Sequence, residues 1–144
     1  VWIADVGQGD VEEINRVSVE GFDDNFGWPL YEGTDCFAGP CTGVDVEGRV
    51  LSEPVHEYRH DEGCSITGGY VYRGSAMPQL DGHYFFSDWC TGFIRSLAPD
   101  GSVHDWTEGT GTVPAVTSFG RDESGEVYVV SGEGTIYRLV ESSD

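Results

Sequence analysis

The residues best suited to chemistry are carboxylates concentrated in the first quarter of the chain. The set of interest is Asp10, Glu12, Glu13, Asp23, Asp24, Glu32 and Asp35. Hard cations such as Ca²⁺ take several oxygen ligands from carboxylates and backbone carbonyls in flexible loops. The regular acidic spacing of an EF-hand loop is absent, so the pattern predicts an irregular calcium site. Turn-forming Asp and solvated Glu side chains are the alternative interpretation.

The histidines form a second candidate group, which consists of His56, His60, His83 and His104. His56 and His60 stand four residues apart in a strand-like run, so both side chains point to one face. Glu57 and Asp61 lie beside them, which makes a metal conceivable, whereas exposed positions at a rim are the alternative interpretation. No Ser-His-Asp order, phosphate-binding loop or Gly-x-Gly-x-x-Gly motif is present. Histidine spacing alone therefore assigns no general base.

The four cysteines form two local pairs whose spacings differ from those of zinc sites. Cys64 precedes the strand-like run ITGGYVYRG, and Cys90 follows a second run, HYFFSDW, with turn residues between the two. In an antiparallel pair the start of the first strand lies beside the end of the second, which brings Cys64 and Cys90 within disulfide reach. Cys36 and Cys41 make the other pair. Two disulfides predict an oxidising, extracytoplasmic location.

The net charge of −19, from 26 acidic and 7 basic residues, restricts the classes of partner. Nucleic acid is excluded, because phosphate contacts need clustered Lys and Arg side chains. All seven basic residues are arginines, so Schiff-base chemistry on a lysine is excluded as well. No apolar run approaches the roughly 20 residues that span a bilayer, and we expect no membrane insertion. The chain opens on a strand-like run, so we expect it to be a piece of a longer protein.

Three segments of the chain resemble one another, namely residues 1–17, 83–98 and 126–141. Each has an apolar run, a short loop with Gly and acidic residues, and a second apolar run. The second and third segments are separated by roughly 40–50 residues, a period that is typical of four-stranded β-propeller blades. No helical periodicity is present. The sequence therefore predicts an all-β fold built from propeller blades.

These segments divide the chain into four parts. Residues 1–20 form half a blade, 21–52 an inserted loop, and 53–98 and 102–141 one four-stranded blade each. In this scheme the runs 54–60 and 102–108 are the first strands of their blades, and about two and a half blades are present. Loops as long as the inserted one are usually functional or disordered, and its aromatic residues and cysteine pair favour order.

Five blocks in order carry a resemblance to a known family: IADVGQGDVEEIN, NFGWPLYEG, CSITGGYVYRG, YFFSDWCTGFI and SFGRDESGEVYVV. With them the chain resembles the glucose/sorbosone dehydrogenase family, whose members are soluble six-bladed propellers. The family includes aldose dehydrogenases that depend on pyrroloquinoline quinone (PQQ), as well as hedgehog-interacting-protein-like propellers. The match covers nearly the whole chain but only the C-terminal part of the family fold.

The resemblance implies two calcium positions. Backbone carbonyls around Gly7 and Gln8 would contact the Ca²⁺ that holds PQQ, and Gln8 stands where the family usually has Pro. A second, structural Ca²⁺ would use Glu13, Phe26 through its carbonyl, Glu32 and Asp35. Calcium and PQQ are therefore the cofactors that the resemblance implies.

The chain departs from the family's enzymes where they bind the carboxylates of the cofactor. The enzymes have Lys near the position of Cys90 and Arg near the positions of Val116 and Thr117, and this sequence has neither. The family's catalytic His belongs to the N-terminal half, which this chain does not contain. We therefore expect the C-terminal blades of a secreted, PQQ- and calcium-dependent sugar dehydrogenase-like propeller whose cofactor site is incomplete here.

Two other functions stay open at this point. One is a non-catalytic propeller module that binds a protein or a glycan and keeps a structural calcium site. The other is a purely structural module. A sugar or glycan would stack on the aromatic side chains. Open strand edges are a liability, so we expect the remaining blades of a longer chain, or a second copy, to cover them.

Overall fold

The computed structural model describes residues 1–20 and 23–141, which form two compact units. Unit 1 is Val1–Glu62 and unit 2 is Gly63–Asp144. Gly21 and Phe22, the first two residues of the predicted inserted loop, lie outside the described residues. Nearly all regular structure is β-strand, apart from a four-residue helix, Thr107–Thr110, and a 3₁₀ turn, Pro78–Leu80. The all-β prediction is therefore confirmed.

Antiparallel meanders organise both units. The strands within the described residues are β1 (Trp2–Asp5), β2 (Val11–Arg16), β3 (Tyr31–Glu32), β4 (Asp35–Cys36), β5 (His56–Arg59), β6 (Ile66–Thr67), β7 (Tyr84–Asp88), β8 (Ile94–Leu97), β9 (Val103–Asp105), β10 (Val116–Arg121), β11 (Val127–Ser131) and β12 (Ile136–Arg138). In unit 1 the order is β1-β2-β5, and β3 and β4 form a separate hairpin. In unit 2, β6-β7-β8-β9 form one sheet and β10-β11-β12 another. Such meanders are the building units of propeller blades.

Strand β7 shows how the sequence specifies these elements. Its residues YFFSD are buried at every position, and aromatic residues favour a pleated, packed surface. The turn into β8 depends on Gly92, which has a φ of 65°. A Cβ on Gly92 would collide with the Val113 carbonyl oxygen, so glycine is required for this close approach.

Two strands belong to the sheet before the one in which the sequence pattern places them. The run 54–60 is predicted to open the second blade, but its strand β5 pairs with β2 as an outer strand. Likewise β9, in the run 102–108, pairs with β8. The predicted positions of these two strands are wrong, because an edge strand's sequence does not identify its partner. For β9 the tight turn between Ala98 and Ser102 leads the chain straight back onto β8, which closes the shortest loop.

The core of unit 2 lies between its two sheets. Its buried members are Tyr72, Met77, Leu80, Phe85, Ile94, Val113, Val116, Phe119, Val127 and Val129. Thr67 of β6 also donates a hydrogen bond to the Val116 carbonyl of β10 at 2.9 Å, which links the two sheets. Burying one such apolar side chain contributes about 1.5–3 kcal/mol, so apolar packing is the main stabilising contribution in unit 2.

Both predicted disulfides are present, and none of the four cysteines is free. The Cα–Cα distances are 5.6 Å for Cys36–Cys41 and 5.7 Å for Cys64–Cys90. The first disulfide joins the last residue of β4 to the segment that follows it, and the second joins the segment before β6 to the turn that follows β7. No helix in the described ranges has the length and apolar character that crossing a membrane requires.

Candidate metal and ligand site

Unit 1 contains a cavity of about 340 Å³, lined both by its sheet and by the loop that leads into β3. The lining residues are Asp5, Val6, Gly7, Gln8, Val11, Glu13, Phe26, Trp28, Tyr31 and Glu32. Five residues that the family resemblance implies as ligands are among them, namely Gly7, Gln8, Glu13, Phe26 and Glu32. The structure thus brings these five residues to one cavity, and their roles as ligands stay predictions.

Gly7 allows the loop between β1 and β2 to pass close to Glu32. A Cβ on Gly7 would collide with the Val11 carbonyl oxygen and would lie 2.5 Å from Glu32 Oε1. Only glycine fits such a close approach. As a result, the backbone at Gly7 lines the cavity directly, between the lining residues Val6 and Gln8.

Glu32 holds this loop in place through a single carboxylate oxygen. Its Oε1 accepts hydrogen bonds from the backbone N–H groups of Gly9, Asp10 and Val11 at 2.8, 2.9 and 3.1 Å. Burial alone would raise the pKa of the Glu32 carboxyl, but the three N–H donors and the nearby His60 outweigh it and lower the pKa. Glu32 is therefore held in its charged form, with Oε2 outside these three hydrogen bonds.

Glu13 stands in the middle of a row of three carboxylates. It pairs in register with Asp5 of β1 and with Glu57 of β5, and like charges directly opposite one another destabilise a sheet. Burial raises the pKa of Glu13, and the charges of Asp5 and Glu57 add to the shift, while hydrogen bonds from Asn15 and Gly33 oppose it. A bound cation would relieve both the burial cost and the repulsion.

The oxygen donors around Glu13 fit Ca²⁺. Carboxylates from Glu13 and Glu32, together with backbone carbonyls of the loop from Val6 to Gln8, are the hard ligands that this ion prefers. Asn15 donates to Glu13 Oε1 from Nδ2 at 2.7 Å, and its own buried Oδ1 has no hydrogen-bond partner among the described residues. A buried oxygen that lacks a partner beside a buried carboxylate is an environment that a bound cation or water would satisfy.

The same lining does not fit the carboxylates of PQQ. Three of the ten lining residues are carboxylates, Asp5, Glu13 and Glu32, and none is Lys, Arg or His. An anionic cofactor would be repelled by this surface unless cations are supplied from elsewhere. The residues that line this cavity therefore favour a metal ion over PQQ.

Asp35 is the one implied ligand that does not line the cavity. Its Oδ2 lies 2.6 Å from Arg59 Nη1, and both side chains are about half exposed. The hydrogen bond from Arg59 lowers the pKa of Asp35. Because β4 runs alongside β3 at the hairpin, Asp35 meets β5 rather than the cavity, and its role as a calcium ligand stays an untested prediction.

Elsewhere in the described residues, one group brings three metal-binding side chains together, namely Cys64, Asp88 and Cys90. Both cysteines are consumed by their disulfide. The buried Asp88 carboxylate accepts backbone hydrogen bonds from Cys64, Ser65, Cys90 and Thr91 at 2.8–3.0 Å. The group therefore braces the disulfide. His56 and His60, for which a metal was one of two open interpretations, are not part of any such group in the described residues, and His60 Nε2 lies 2.8 Å from Glu12 Oε1.

Asp5 is the lining residue that sequence reasoning misses. The signal that would have found it is strand pairing, since β1 and β2 align Asp5 with Glu13. Two aromatic residues, Trp28 and Tyr31, also line the cavity. Trp28 is 58% exposed, and its ring lies 5.1 Å from that of Phe37, which follows β4, centroid to centroid. An exposed aromatic pair therefore includes one of the residues that line the cavity.

Comparisons with known proteins agree with the fold. The sequence model of a family described as Glucose / Sorbosone dehydrogenase matches residues 1–138. The HIPL1 protein of Arabidopsis thaliana is 31% identical across 97% of this chain and 24% of its own length. The Hedgehog-interacting protein of Mus musculus is 30% identical across 67% of this chain and 17% of its own length. The chain thus spans about a quarter or less of the length of these curated relatives.

Proposed function

The chain belongs to the glucose/sorbosone dehydrogenase family, and we propose that it is part of an extracytoplasmic propeller that binds Ca²⁺ and recognises a ligand without oxidising it. The observation that carries this proposal is the lining of the cavity in unit 1. It includes three carboxylate residues that suit a metal, the backbone of Gly7, and no positive side chain that would suit an anionic cofactor. The two disulfides support an oxidising, extracytoplasmic setting.

Glu13, Glu32 and the carbonyls from Val6 to Gln8 are the groups that would hold the calcium ion. The ion, when bound, supplies a positive charge to a row of carboxylates that otherwise repel one another. Glu32 meanwhile keeps its three backbone hydrogen bonds and orients the loop between β1 and β2. The chain's own contribution is therefore a preformed, loop-anchored oxygen site.

A calcium titration of the complete protein tests the metal part of this proposal. We expect Glu13→Gln to weaken calcium affinity at least tenfold in isothermal calorimetry, because it removes a charged ligand next to the unpaired Asn15 oxygen. Glu53→Gln is the matched control, since Glu53 is an exposed carboxylate outside the cavity. Equal calcium affinity in Glu13→Gln and the parent would show that the ion binds elsewhere or not at all.

PQQ-dependent sugar oxidation is the second candidate function. The observation that favours it is the position of Gly7 and Gln8, which line the same cavity and which the family resemblance links to the calcium ion that holds PQQ. Aldose-dependent dye reduction by the complete protein, measured with Ca²⁺ and PQQ added, separates the two candidates. We expect no reduction above a heat-denatured control. Turnover that requires both PQQ and Ca²⁺ would replace the binding function with the enzymatic one.

The ligand that we propose is a secreted protein. Two of the relatives are Hedgehog-interacting proteins, and the exposed Trp28–Phe37 pair has the aromatic character that interface hot spots favour. Surface binding of the complete protein to immobilised Hedgehog, beside a glycan array, tests this class. We expect protein binding that Trp28→Ala weakens at least tenfold. Binding to the glycan array alone would assign the surface to carbohydrate.

A further inference from the structure

A second cluster of metal-binding side chains lies in unit 2, on one face of the sheet β6-β7-β8-β9. His83 directly precedes β7, Ser96 lies on β8, and His104 lies on the outer strand β9. Ser96 and His104 are paired in register. The ring centroids of His83 and His104 are 5.2 Å apart, and Trp106 stacks on His104 with its ring plane inclined by 15°. None of these residues belongs to the cavity of unit 1.

Hydrogen bonds fix which nitrogen of His104 carries the proton. Ser102 Oγ donates its only proton to Asp100 Oδ1 at 2.7 Å. The contact of 3.1 Å between Ser102 Oγ and His104 Nε2 must therefore be donated by His104. The neutral imidazole then has its lone pair on Nδ1, which makes no hydrogen bond within the described residues. A ligating His with its other N–H anchored through a hydroxyl to a carboxylate is the arrangement that metal sites use.

His83 is anchored in a similar way, but it is buried. Its Nδ1 lies 3.0 Å from Ser96 Oγ, and Trp106 Nε1 donates to the same oxygen at 2.9 Å. Ser96 is thereby held in position, and the Nε2 atom of His83 has no hydrogen-bond partner in the described part of the chain. Metal binding at Nε2 requires the tautomer in which Nδ1 carries the proton and donates it to Ser96 Oγ, rather than the one in which Ser96 donates to Nδ1. Burial, and repulsion from His104 whenever that ring is protonated, lower the pKa of His83 and so favour the neutral ring that metal binding requires.

The separation of the two rings matches a shared ion. A zinc ion binds imidazole nitrogen at about 2.0–2.1 Å with roughly tetrahedral angles, which places two ligating ring centroids about 5 Å apart. The observed 5.2 Å between His83 and His104 agrees with this distance. His104 is exposed, so an ion can reach the pair from solvent.

We propose that His83 and His104 form a second metal site, which binds one divalent transition ion of the zinc class through His83 Nε2 and His104 Nδ1, with water completing the coordination. Imidazole ligands select ions such as Zn²⁺, Ni²⁺ and Cu²⁺ over Ca²⁺. The site is therefore chemically distinct from the oxygen site of unit 1. It also joins the outer strand β9 to the start of β7, so the bound ion stabilises this sheet.

Titration of the full chain with Ni²⁺ in a large excess of Ca²⁺ tests the site, because the excess Ca²⁺ competes with Ni²⁺ for carboxylate ligands and no free thiol is present. We expect one ion per chain in calorimetry and an affinity that His104→Gln lowers at least tenfold. Ser102→Ala, which removes the positioning hydroxyl, should lower the affinity about tenfold. His56→Gln is the matched control and should leave nickel binding unchanged. Loss of binding in His56→Gln, or equal affinity in His104→Gln and the parent, would overturn the proposal.

His83→Gln changes a buried residue and can unfold the sheet, so a spectroscopic measurement replaces it. Electron paramagnetic resonance of the Cu²⁺-loaded parent chain should show coupling to two imidazole nitrogens. His104→Gln should reduce this to one nitrogen, with circular dichroism confirming that the variant is folded. A spectrum with oxygen ligands only would show that copper binds the surface carboxylates and would refute the histidine site.

Discussion

Unit 1 and unit 2 share antiparallel sheets but bury different side chains. Among the described residues of unit 1, the buried side chains combine few apolar groups with several polar ones, namely Val11, Ile14, Tyr58, Glu12, Glu13, Asn15 and Glu32. Unit 2 instead packs aromatic and aliphatic side chains into one core between two sheets. Its buried Glu126 is satisfied within that packing, because Tyr72 donates to it at 2.8 Å.

This difference predicts how the stability of each unit depends on ions and on pH. Apolar burial depends little on ions or pH, so the apolar core of unit 2 acts as a scaffold, apart from the histidine pair proposed at the edge of its first sheet. Buried carboxylates are stable only when hydrogen bonds or cations compensate them, so the stability of unit 1 depends on metal and pH. The four predictions below test this contrast, with native-state hydrogen exchange reporting on each unit separately.

Phe85→Ala should have the largest effect. Phe85 is 2% exposed and packs edge-on against Tyr72, with ring centroids 6.4 Å apart. Truncating a buried Phe costs about 3–5 kcal/mol, so exchange protection in unit 2 should collapse whether or not Ca²⁺ is present. The matched control is Phe37→Ala, at a 47% exposed position, which should cost about 1 kcal/mol or less. Similar losses in both variants would contradict the scaffold role of unit 2.

Removing each disulfide in turn should cause the next largest loss in the free energy of unfolding. The Cys64–Cys90 bond closes a loop with a sequence separation of 26, and the Cys36–Cys41 bond one with a separation of 5. Chain-entropy arguments give losses of about 3.5 and about 2 kcal/mol for the paired Cys→Ser variants. Urea unfolding of the two double variants measures the difference. A greater loss from the shorter loop would show that the hairpin disulfide constrains more than its own loop.

Glu32→Gln should destabilise unit 1 by about 1–2 kcal/mol in the presence of a calcium chelator, because three backbone donors lose a charged acceptor. The folded pKa of Glu32 is lowered from its ordinary value of 4.5. Its stabilising contribution is therefore present above that value and is lost as pH falls through the folded pKa. The difference in stability between the parent and the variant should accordingly disappear at low pH, and thermal unfolding at several pH values measures this. Glu53→Gln serves as control, and a difference that persists at low pH would contradict the charge argument.

Glu13→Gln should give the smallest change in stability, and the sign of that change should depend on whether calcium is present. The folded pKa of Glu13 is raised from its ordinary value of 4.5. Without metal, its contribution to the stability of unit 1 is therefore fully present below pH 4.5 and is lost as pH rises through the folded pKa. In chelator at pH 8 the variant should therefore melt higher than the parent, and in excess Ca²⁺ it should melt lower. Differential scanning calorimetry in both buffers measures this reversal. The same sign in both buffers would remove Glu13 from the calcium site.

Much of this arrangement could be predicted from the sequence, because local signals carry it. Alternating aromatic and aliphatic runs indicated the strands, and the spacing around the strand-like runs paired Cys64 with Cys90. The family resemblance pointed to Gly7, Gln8, Glu13, Phe26 and Glu32, which the structure gathers at one cavity. The resemblance also named Asp35, which does not line the cavity, and its ion pair with Arg59 of β5 could not be predicted because it depends on where β4 lies.

The sequence by itself determined the elements: strands, turns, disulfide partners and an excess of carboxylates over cations. Only the tertiary structure decided how they meet. Strand pairing put Asp5, Glu13 and Glu57 in one row, and it assigned β5 and β9 to the preceding sheets. It also brought His83 to His104 from two strands apart. The physical reason is that hydrogen-bond register, which sets these neighbours, depends on the partner strand as well as on the local sequence.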